Sequence, residues 1–307
     1  MQQEAIIPAI DKAIIKQELN AAGLMRKTRK GDNEIYCVNF HNAPNVVREI
    51  GRLREITFRA AGGGTGLSLD LDEYDTNEIC YDQLIVWSPE DEEIIGGYRF
   101  IMCKNARDEK GEIHLSTSHY FDFSPTFISE YLPYTCELGR SFVQPNFQPT
   151  VNPRKGLFAL DNIWDGLGAI AKTYANEIKY FFGKVTMYPS YNVESRDFLL
   201  HFLHNYFPDN ENLMVPFHPL VQQGNSALYQ EMLSDLPFKD GFKILNSYVR
   251  ERGENIPPLV NIYMNLSPTM KTFGTAVNSE FGDVEETGIL ITIADIYDEK
   301  KERHLNY

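Results

Sequence analysis

Leu160, Trp164, Leu167, Ala171, Tyr174, Ile178 and Phe181 recur at alternating steps of four and three, the stripe that an α-helix buries along one side. No other segment is patterned so clearly, and Gly183 supplies a stop. β-rich runs flank it, CELGRSFV at 136–143 and KVTMYPSY at 184–191. A second helix starts at Ser195, carries Phe198, Leu199, Phe202, Leu203 and Tyr206, and halts at Pro208. Strand, long helix, strand, helix in this order points to a sheet with helices on its faces.

The rest of the chain fills in that scheme. QLIVW (83–87) and EEIIGGYRFIMC (92–103), joined by Ser88-Pro89-Glu90-Asp91, read as an antiparallel hairpin, and GILITIADI (288–296) as a late strand. Gly96-Gly97 within a strand implies a bulge or the close approach of another backbone. Val46, Ile50, Leu53 and Thr57 place an amphipathic helix over 46–60. The Gly62–Gly66 segment follows that helix rather than a strand and lacks a GK[ST] ending, so it reads as a mobile connection or lid, not a phosphate loop. Helices are expected around 225–236 and 241–252, and from Pro257-Pro258 to Leu266. The fold class is α/β (α+β): a mixed, mostly antiparallel central sheet flanked by helices. Residues 1–307 read as one continuous domain, with a basic helical segment at 1–60 and an insertion-like helical region at 208–255.

Charge and cysteine usage exclude several function classes. The formal net charge is −14, against a general nucleic-acid binder, because phosphate contacts need a dense basic surface. Residues 1–60 nevertheless hold ten Lys/Arg and seven Asp/Glu. Arg26, Lys27, Arg29 and Lys30, with Arg48 and Arg52, are either a solvated face or a docking surface for something acidic. No run approaches the roughly eighteen apolar residues of a membrane span, and Glu4, Asp11, Lys12 and Lys16 interrupt what could be a signal sequence. Cys37, Cys80, Cys103 and Cys136 are spaced for neither a zinc site nor a disulfide scaffold, and read as reduced thiols of a cytoplasmic protein.

Three polar clusters interrupt the apolar framework. Asp70-Leu71-Asp72-Glu73-Tyr74-Asp75 lacks the fuller pattern of a calcium loop and reads as an acidic turn. Arg99, embedded among Ile94, Ile95, Phe100 and Ile101, must snorkel out or pair with a carboxylate. In CELGRSFV, strict alternation would put Glu137 and Arg140 on opposite faces, whereas a bulge at Gly139 would bring them together and free backbone N–H groups from the ladder. A carboxylate there could act as base toward an amine while the freed N–H groups hold an oxyanion. A structural ion pair between Glu137 and Arg140 is the competing reading. Cys136 and Ser141 sit in no nucleophile elbow, and the histidines form no recognisable ligand set, so neither covalent catalysis nor a metal is expected.

At these residues the chain becomes recognisable. LREITFRAAGGGTG, DLDEYD, YDQLIVW, IIGGYRF, ELGRSFVQPNFQP, IWDGLGAI, YFFGKVTMYPSYNVESRDFL and PPLVNIYMNL, in that order over 46–296, resemble the hemolysin-like branch of the GNAT superfamily. That branch includes N-acyltransferases that make ornithine and glycine lipids. The core is more distantly similar to acyl-homoserine-lactone synthases. Their Arg and Phe on an N-terminal helix match Arg54 and Phe58, and their acidic turn matches Asp70, Asp72 and Asp75. A strand Arg and an ELSR-like strand match Arg99, then Glu137 and Arg140; Asp70 and Tyr74 depart mildly from that pattern. The resemblance implies a GNAT-like sheet, Glu137, Arg140, Asp72, Asp75 and Arg99 in the catalytic network, and Arg54, Phe58, Asp70, Ser141, Phe142 and Val143 in substrate binding.

It also implies an enzyme that moves a fatty, 3-hydroxylated acyl group from acyl carrier protein to the amine of an amino acid, giving an N-acyl amino acid or lyso-aminolipid. GNAT acetyltransferases hold the coenzyme A pyrophosphate on a glycine-rich [QR]xxGx[GA] loop, whereas QPNFQPTVNPRKGL has prolines without N–H groups and a single glycine. The donor is therefore expected to be an acyl-phosphopantetheine thioester on a carrier protein rather than coenzyme A, with no other cofactor bound. The basic residues named above would dock that acidic carrier, or the inner leaflet of a membrane at which the enzyme is peripheral. An acetyl-CoA-dependent acetyltransferase and a non-catalytic binding protein of the same fold are the alternatives.

Overall fold

A computed structural model describes residues 3–307; Met1 and Gln2 of the basic N-terminal segment lie outside the described residues. The chain opens with α1 (Lys12–Ala22), β1 (Arg26–Lys27), β2 (Glu34–Val38), α2 (Pro44–Ala60) and the single-turn α3 (Glu73–Thr76). It continues through β3 (Asp82–Ser88), β4 (Glu93–Met102), β5 (Phe121–Phe123), β6 (Thr135–Val143), α4 (Pro153–Gly156), α5 (Ala159–Thr173) and β7 (Tyr180–Met187). The remainder is α6 (Val193–Tyr206), β8 (Met214–Pro216), α7 (Ser226–Leu233), α8 (Phe238–Glu251), α9 (Pro258–Met264), β9 (Lys271–Asn278), β10 (Val284–Thr292) and α10 (Asp298–His304).

Eight strands form one sheet in the order β1-β2-β3-β4-β6-β7-β10-β9, and β5 and β8 pair separately. Every neighbouring pair in the main sheet is antiparallel except β6 and β7. Those two run parallel because α5 carries the chain back over the sheet between them. The mixed, mostly antiparallel sheet with helices on both faces is the expected one.

Apolar side chains of α1 and α2, Ile15, Leu19, Val46, Ile50 and Leu53 among them, pack on Tyr36, Ile85, Trp87 and Phe142 of one face. On the opposite face α5, α6, α8 and α9 bury Ile163, Leu167, Phe198, Phe202, Leu245 and Val260 against Leu84, Phe100, Leu138 and Ile289. A third cluster, with Tyr81, Ile101, Phe121, Phe127 and Phe182, lies under the small β5–β8 sheet. The site described below falls on the polar belt between the first and third clusters.

Gly96-Gly97 shows both expected features. The β3–β4 register shifts between Val86 and Trp87, and a Cβ on Gly96 or Gly97 would stand 2.2 Å from the Phe142 carbonyl oxygen or 2.1 Å from that of Leu84. Several boundaries differ from expectation. The long helix ends at Thr173, and Ile178 and Phe181 belong to the following turn and to β7. They prolong the helical spacing because they enter the same core from another element. Gly183 is thus a strand residue, close to the Leu138 carbonyl, and not a helix stop. The glycine segment is no loose lid: the Glu55 carboxylate, fully buried, accepts from Thr65 N at 3.1 Å, Thr65 Oγ1 at 2.8 Å and Gly66 N at 2.8 Å. In the 208–255 region, α7 and α8 pack on α6 rather than standing apart from the core.

Candidate active site

The site is organised by an irregularity in β6. Gly139 pairs with Arg99 and Phe142 with Gly97, so Arg140 and Ser141 together face the single residue Tyr98. Arg140 is the extra residue, and it adopts φ 49°, a left-handed conformation that a non-glycine residue takes only under local constraint. Its side chain thereby joins Glu137 and Arg99 on the α2 side of the sheet, while Ser141 turns to the α5 side. Of the two arrangements the sequence left open, strict alternation or a bulge at Gly139, the strand takes the bulge, one residue further along.

Six of the predicted residues meet in one charged network. Asp75 lies at the start of α3, and its fully buried carboxylate accepts from Arg54 Nη1 at 3.1 Å, Gln83 Nε2 at 2.9 Å and Arg99 Nη1 at 3.1 Å. Arg54, also fully buried, donates its other amino group to Gln83 Oε1 at 2.5 Å. Arg99 reaches Asp72 at 2.7 Å, and Arg140 pairs with Asp70 at 3.0 Å and Asp72 at 3.6 Å. Burial alone would raise the Asp75 carboxyl, but the Arg54, Arg99 and Arg140 guanidiniums more than reverse this and hold it well below the usual carboxylate range. Burial lifts Asp70 above that range, opposed by Arg140. Phe58 stands against Phe281 with ring centroids 5.2 Å apart, and the Arg140 guanidinium lies 4.4 Å from the Phe281 ring centre.

Glu137 does not pair with Arg140. Its carboxylate, fully buried, accepts from the hydroxyls of Tyr81 at 2.8 Å and Ser116 at 2.7 Å on Oε1, and of Thr117 at 2.6 Å on Oε2. Of about four acceptor positions on a carboxylate, the one left open belongs to Oε2. Burial, then the Glu137 charge, pushes the Tyr81 phenol far up, which keeps Tyr81 a donor. Arg99 lies 5.0 Å from the Tyr81 ring centre, so Tyr81 links the charged network to Glu137.

Beside the bulge the sheet opens. β6 and β7 are paired over Thr135–Leu138 and Tyr180–Gly183, and from Gly139 onward that edge of β6 has no strand partner among the described residues. The resulting cleft is lined by Gly139, Arg140 and Ser141 on one side and by Gly183, Lys184 and Val185 on the other. Lys184, a residue the sequence reading missed, pairs with Glu286 at 2.6 Å and lies 3.9 Å from the Tyr120 ring centre. Burial lowers its ammonium below the usual lysine range, against the pull of Glu286.

A charged, bulged strand splayed from its parallel neighbour can hold a thioester in the cleft, with strand N–H groups facing its carbonyl and an amine approaching from the carboxylate side. Residues 53–154, which contain this strand and the charged network, match the family model of the acetyltransferase (GNAT) domain. Over 98% of its length the chain is 56% identical to a glycine N(alpha)-acyltransferase of Bacteroides thetaiotaomicron, covering 90% of that protein. It is 54% identical, again over 98%, to one of Phocaeicola vulgatus, covering 93% of it. The chain belongs to the GNAT family of N-acyltransferases. An aminoglycoside 6'-N-acetyltransferase solved with coenzyme A superposes at a TM-score of 0.33 with 11% identity, over 84% of this chain and 96% of that one, too loosely to compare residues.

The acyltransferase does not gather its basic N-terminal residues on one face. Arg26 is half-buried and donates to the carbonyls of Asp165 and His304, so it braces α5 and α10 rather than facing a partner. Lys27, Arg29 and Lys30 are exposed on that flank. Arg48 is exposed on α2, across the sheet, where Arg52 is held by Glu49 at 2.6 Å. Ser141 lines the cleft, whereas Phe142 is buried under α2 and Val143 packs beside the α5 core. All four cysteines are free thiols. Among the described residues, one group could offer three ligands to a metal, Asp108, Glu112 and His114, on a surface turn where Asp108 and His114 already pair at 3.2 Å. No helix among them is long and apolar enough to cross a membrane.

Proposed function

We propose that this acyltransferase moves a fatty, 3-hydroxylated acyl group from acyl carrier protein to the α-amine of glycine, forming an N-acylglycine. The observation that carries the reaction is the cleft between β6 and β7, open beside Gly139 and the Arg140 bulge, two and three residues along β6 from Glu137. Glycine as acceptor is supported by the two relatives, both named for it and alike over nearly the whole chain. A carrier protein is supported by the segment after β6. There Gln144 bonds inward to the Ile94 carbonyl and Gln148 to that of Val143, Lys155 is engaged by Asp91, and Pro145, Pro149 and Pro153 offer no N–H to a pyrophosphate.

In this reading the Oε2 position left open on Glu137 takes a proton from the acceptor ammonium, directly or through one water. The neutral amine attacks the thioester carbonyl carbon, the C–N bond forms and the C–S bond breaks. N–H groups on the unpaired edge of β6 hold the oxyanion, and the second nitrogen proton passes to the leaving thiolate. Asp70, Asp72, Asp75, Arg54 and Arg99 position the strand and Arg140. The carrier docks on the exposed Lys27, Arg29 and Lys30 flank or on Arg48, and those surfaces suit anionic headgroups of an inner leaflet too.

The test is to incubate purified protein with carrier-protein or coenzyme A thioesters and a panel of amino acids, following thiol release and product mass. N-acylglycine formed from the carrier-bound donor is expected. Release only from coenzyme A would overturn the donor assignment, and an acceptor other than glycine would overturn the substrate.

A further inference from the structure

On the face of the sheet that carries Glu137, one cation stands apart from the charged network. Phe182 is level with Glu137 in the β6–β7 register, and Lys184, two residues further along β7, returns to the same face just past the last paired position, Leu138 with Gly183. Lys184 therefore sits where the two strands part, across the gap from Arg140. Arg140 is already engaged by Asp70 and Asp72. Among the described residues Lys184 Nζ donates to Glu286 alone, at 2.6 Å, and it lies 3.9 Å from the centre of the Tyr120 ring. Glu286 is in turn held by Asn278 Nδ2 at 3.1 Å.

That environment leaves the ammonium a function. Its side chain is only 12% exposed, so it is no ordinary solvated lysine. Burial first, and the Arg140 charge with it, work against the ammonium, while Glu286 supports it. An ammonium has three N–H donors. With one on Glu286 and one over the Tyr120 ring, a third is left for a ligand in the cleft that Lys184 lines. Glu137 and Lys184 rise from one face with their bases about 8 Å apart, given the spacing of neighbouring strands and two residues of rise. An α-amino acid places its nitrogen about 2.5 Å from its carboxyl carbon. With a charge-assisted bond of about 2.8 Å at each end, it bridges roughly 8 Å.

We infer that Lys184 receives the α-carboxylate of the acceptor while Glu137 faces its ammonium, so that the enzyme takes the acceptor as a zwitterion and discriminates against amines without a carboxylate. This rests on the proposed acylation of an α-amine and assigns the residue that selects the acceptor class. Lys184 is then a specificity-determining residue, and Glu286 and Asn278 are positioning residues that aim it. A site built to bond a polar group rejects the analogue that lacks it, because its own group stays incompletely paired.

The assay compares kcat/KM for glycine and glycinamide with a saturating acyl thioester donor. Wild type should prefer glycine. Lys184→Met should shrink that preference by roughly tenfold or more, through a higher KM for glycine rather than a lower kcat. Comparing the ratio between variants cancels the differing basicity of the two amines. Because Lys184→Met strands the buried Glu286 carboxylate, Lys184→Met combined with Glu286→Gln is the second variant, and it should show the same loss of preference. Lys184→Arg, which keeps a cation, should retain part of it. A wild type that uses glycinamide as readily as glycine, an unchanged preference in the folded double variant, or a fall in kcat equal for both amines would overturn the assignment. An acceptor other than glycine would overturn the proposed function alone, since the same comparison is then made between that amino acid and its amide.

Discussion

Asp75→Asn removes one charge from the centre of the network and leaves the shape of the side chain unchanged. Among the described residues Asp75 is the only carboxylate bonded to Arg54, and both residues are fully buried. The variant strands a guanidinium out of water and weakens the bond from Arg99. Breaking a buried pair from one side costs about 3–5 kcal/mol, which at about 2 °C per kcal/mol lowers Tm by roughly 6–10 °C. Asp72→Asn is the internal comparison. Asp72 is 31% exposed and Arg99 keeps Asp75, so the loss there should be about 1 kcal/mol or less. Adding Arg54→Met to Asp75→Asn should recover part of the loss, because no unpaired cation then remains. The sign with pH also follows. The folded-state pKa of Asp75 lies below the unfolded value, so its contribution is complete above the ordinary value of 3.8 and is lost as pH falls through the folded value. The stability gap between wild type and Asp75→Asn, read by urea unfolding, should therefore close on acidification below about pH 4. Equal effects of Asp75→Asn and Asp72→Asn, or a gap that widens in acid, would show that the buried Arg54–Asp75 pair does not carry this stability.

Gly96→Ala should destabilise strongly, by roughly 2 kcal/mol or more in chemical denaturation, since its Cβ would press on the Phe142 carbonyl at 2.2 Å and force β4 from β6. Alkylation at pH 8 should leave Cys103 and Cys136 unmodified in the native protein, because burial first, and then the Glu137 charge, pushes both thiols far up; Cys37, raised to about 12 by burial and then Asp82, should react slowly as well. Charge reversal at Lys27 and Lys30 should raise KM for acyl carrier protein with little change in kcat if the carrier docks on that flank, whereas a rise confined to Arg48→Glu would move the docking surface to α2.

The strands that alternate or run apolar, β3, β4 and β6, were legible because their side chains obey a two-residue period interrupted only by Gly96-Gly97 and Gly139. The end of α5 was not, since Ile178 and Phe181 serve the same core from a turn and a strand and so counterfeit another helical turn. β9 was missed because Gly274 and exposed residues at every third position give KTFGTAVN no clean period. In the site, the charged network could be anticipated from residue types that burial makes expensive, such as Arg99 within an apolar strand. The partners of Glu137 could not. Tyr81, Ser116 and Thr117 converge on it from a strand edge and a turn more than fifty and about twenty residues away, and hydroxyls carry no sequence signature of burial. Lys184 was equally silent, because only the β7–β10 register sets it beside Glu286.

Single-turnover transfer by Glu137→Gln tests the central claim most directly. The variant keeps the side-chain volume at 137, and its Tm should fall by no more than a few degrees. With saturating glycine and preloaded acyl carrier protein, N-acylglycine formation should fall by roughly a hundredfold or more. A folded Glu137→Gln protein that makes N-acylglycine at the wild-type rate would contradict it.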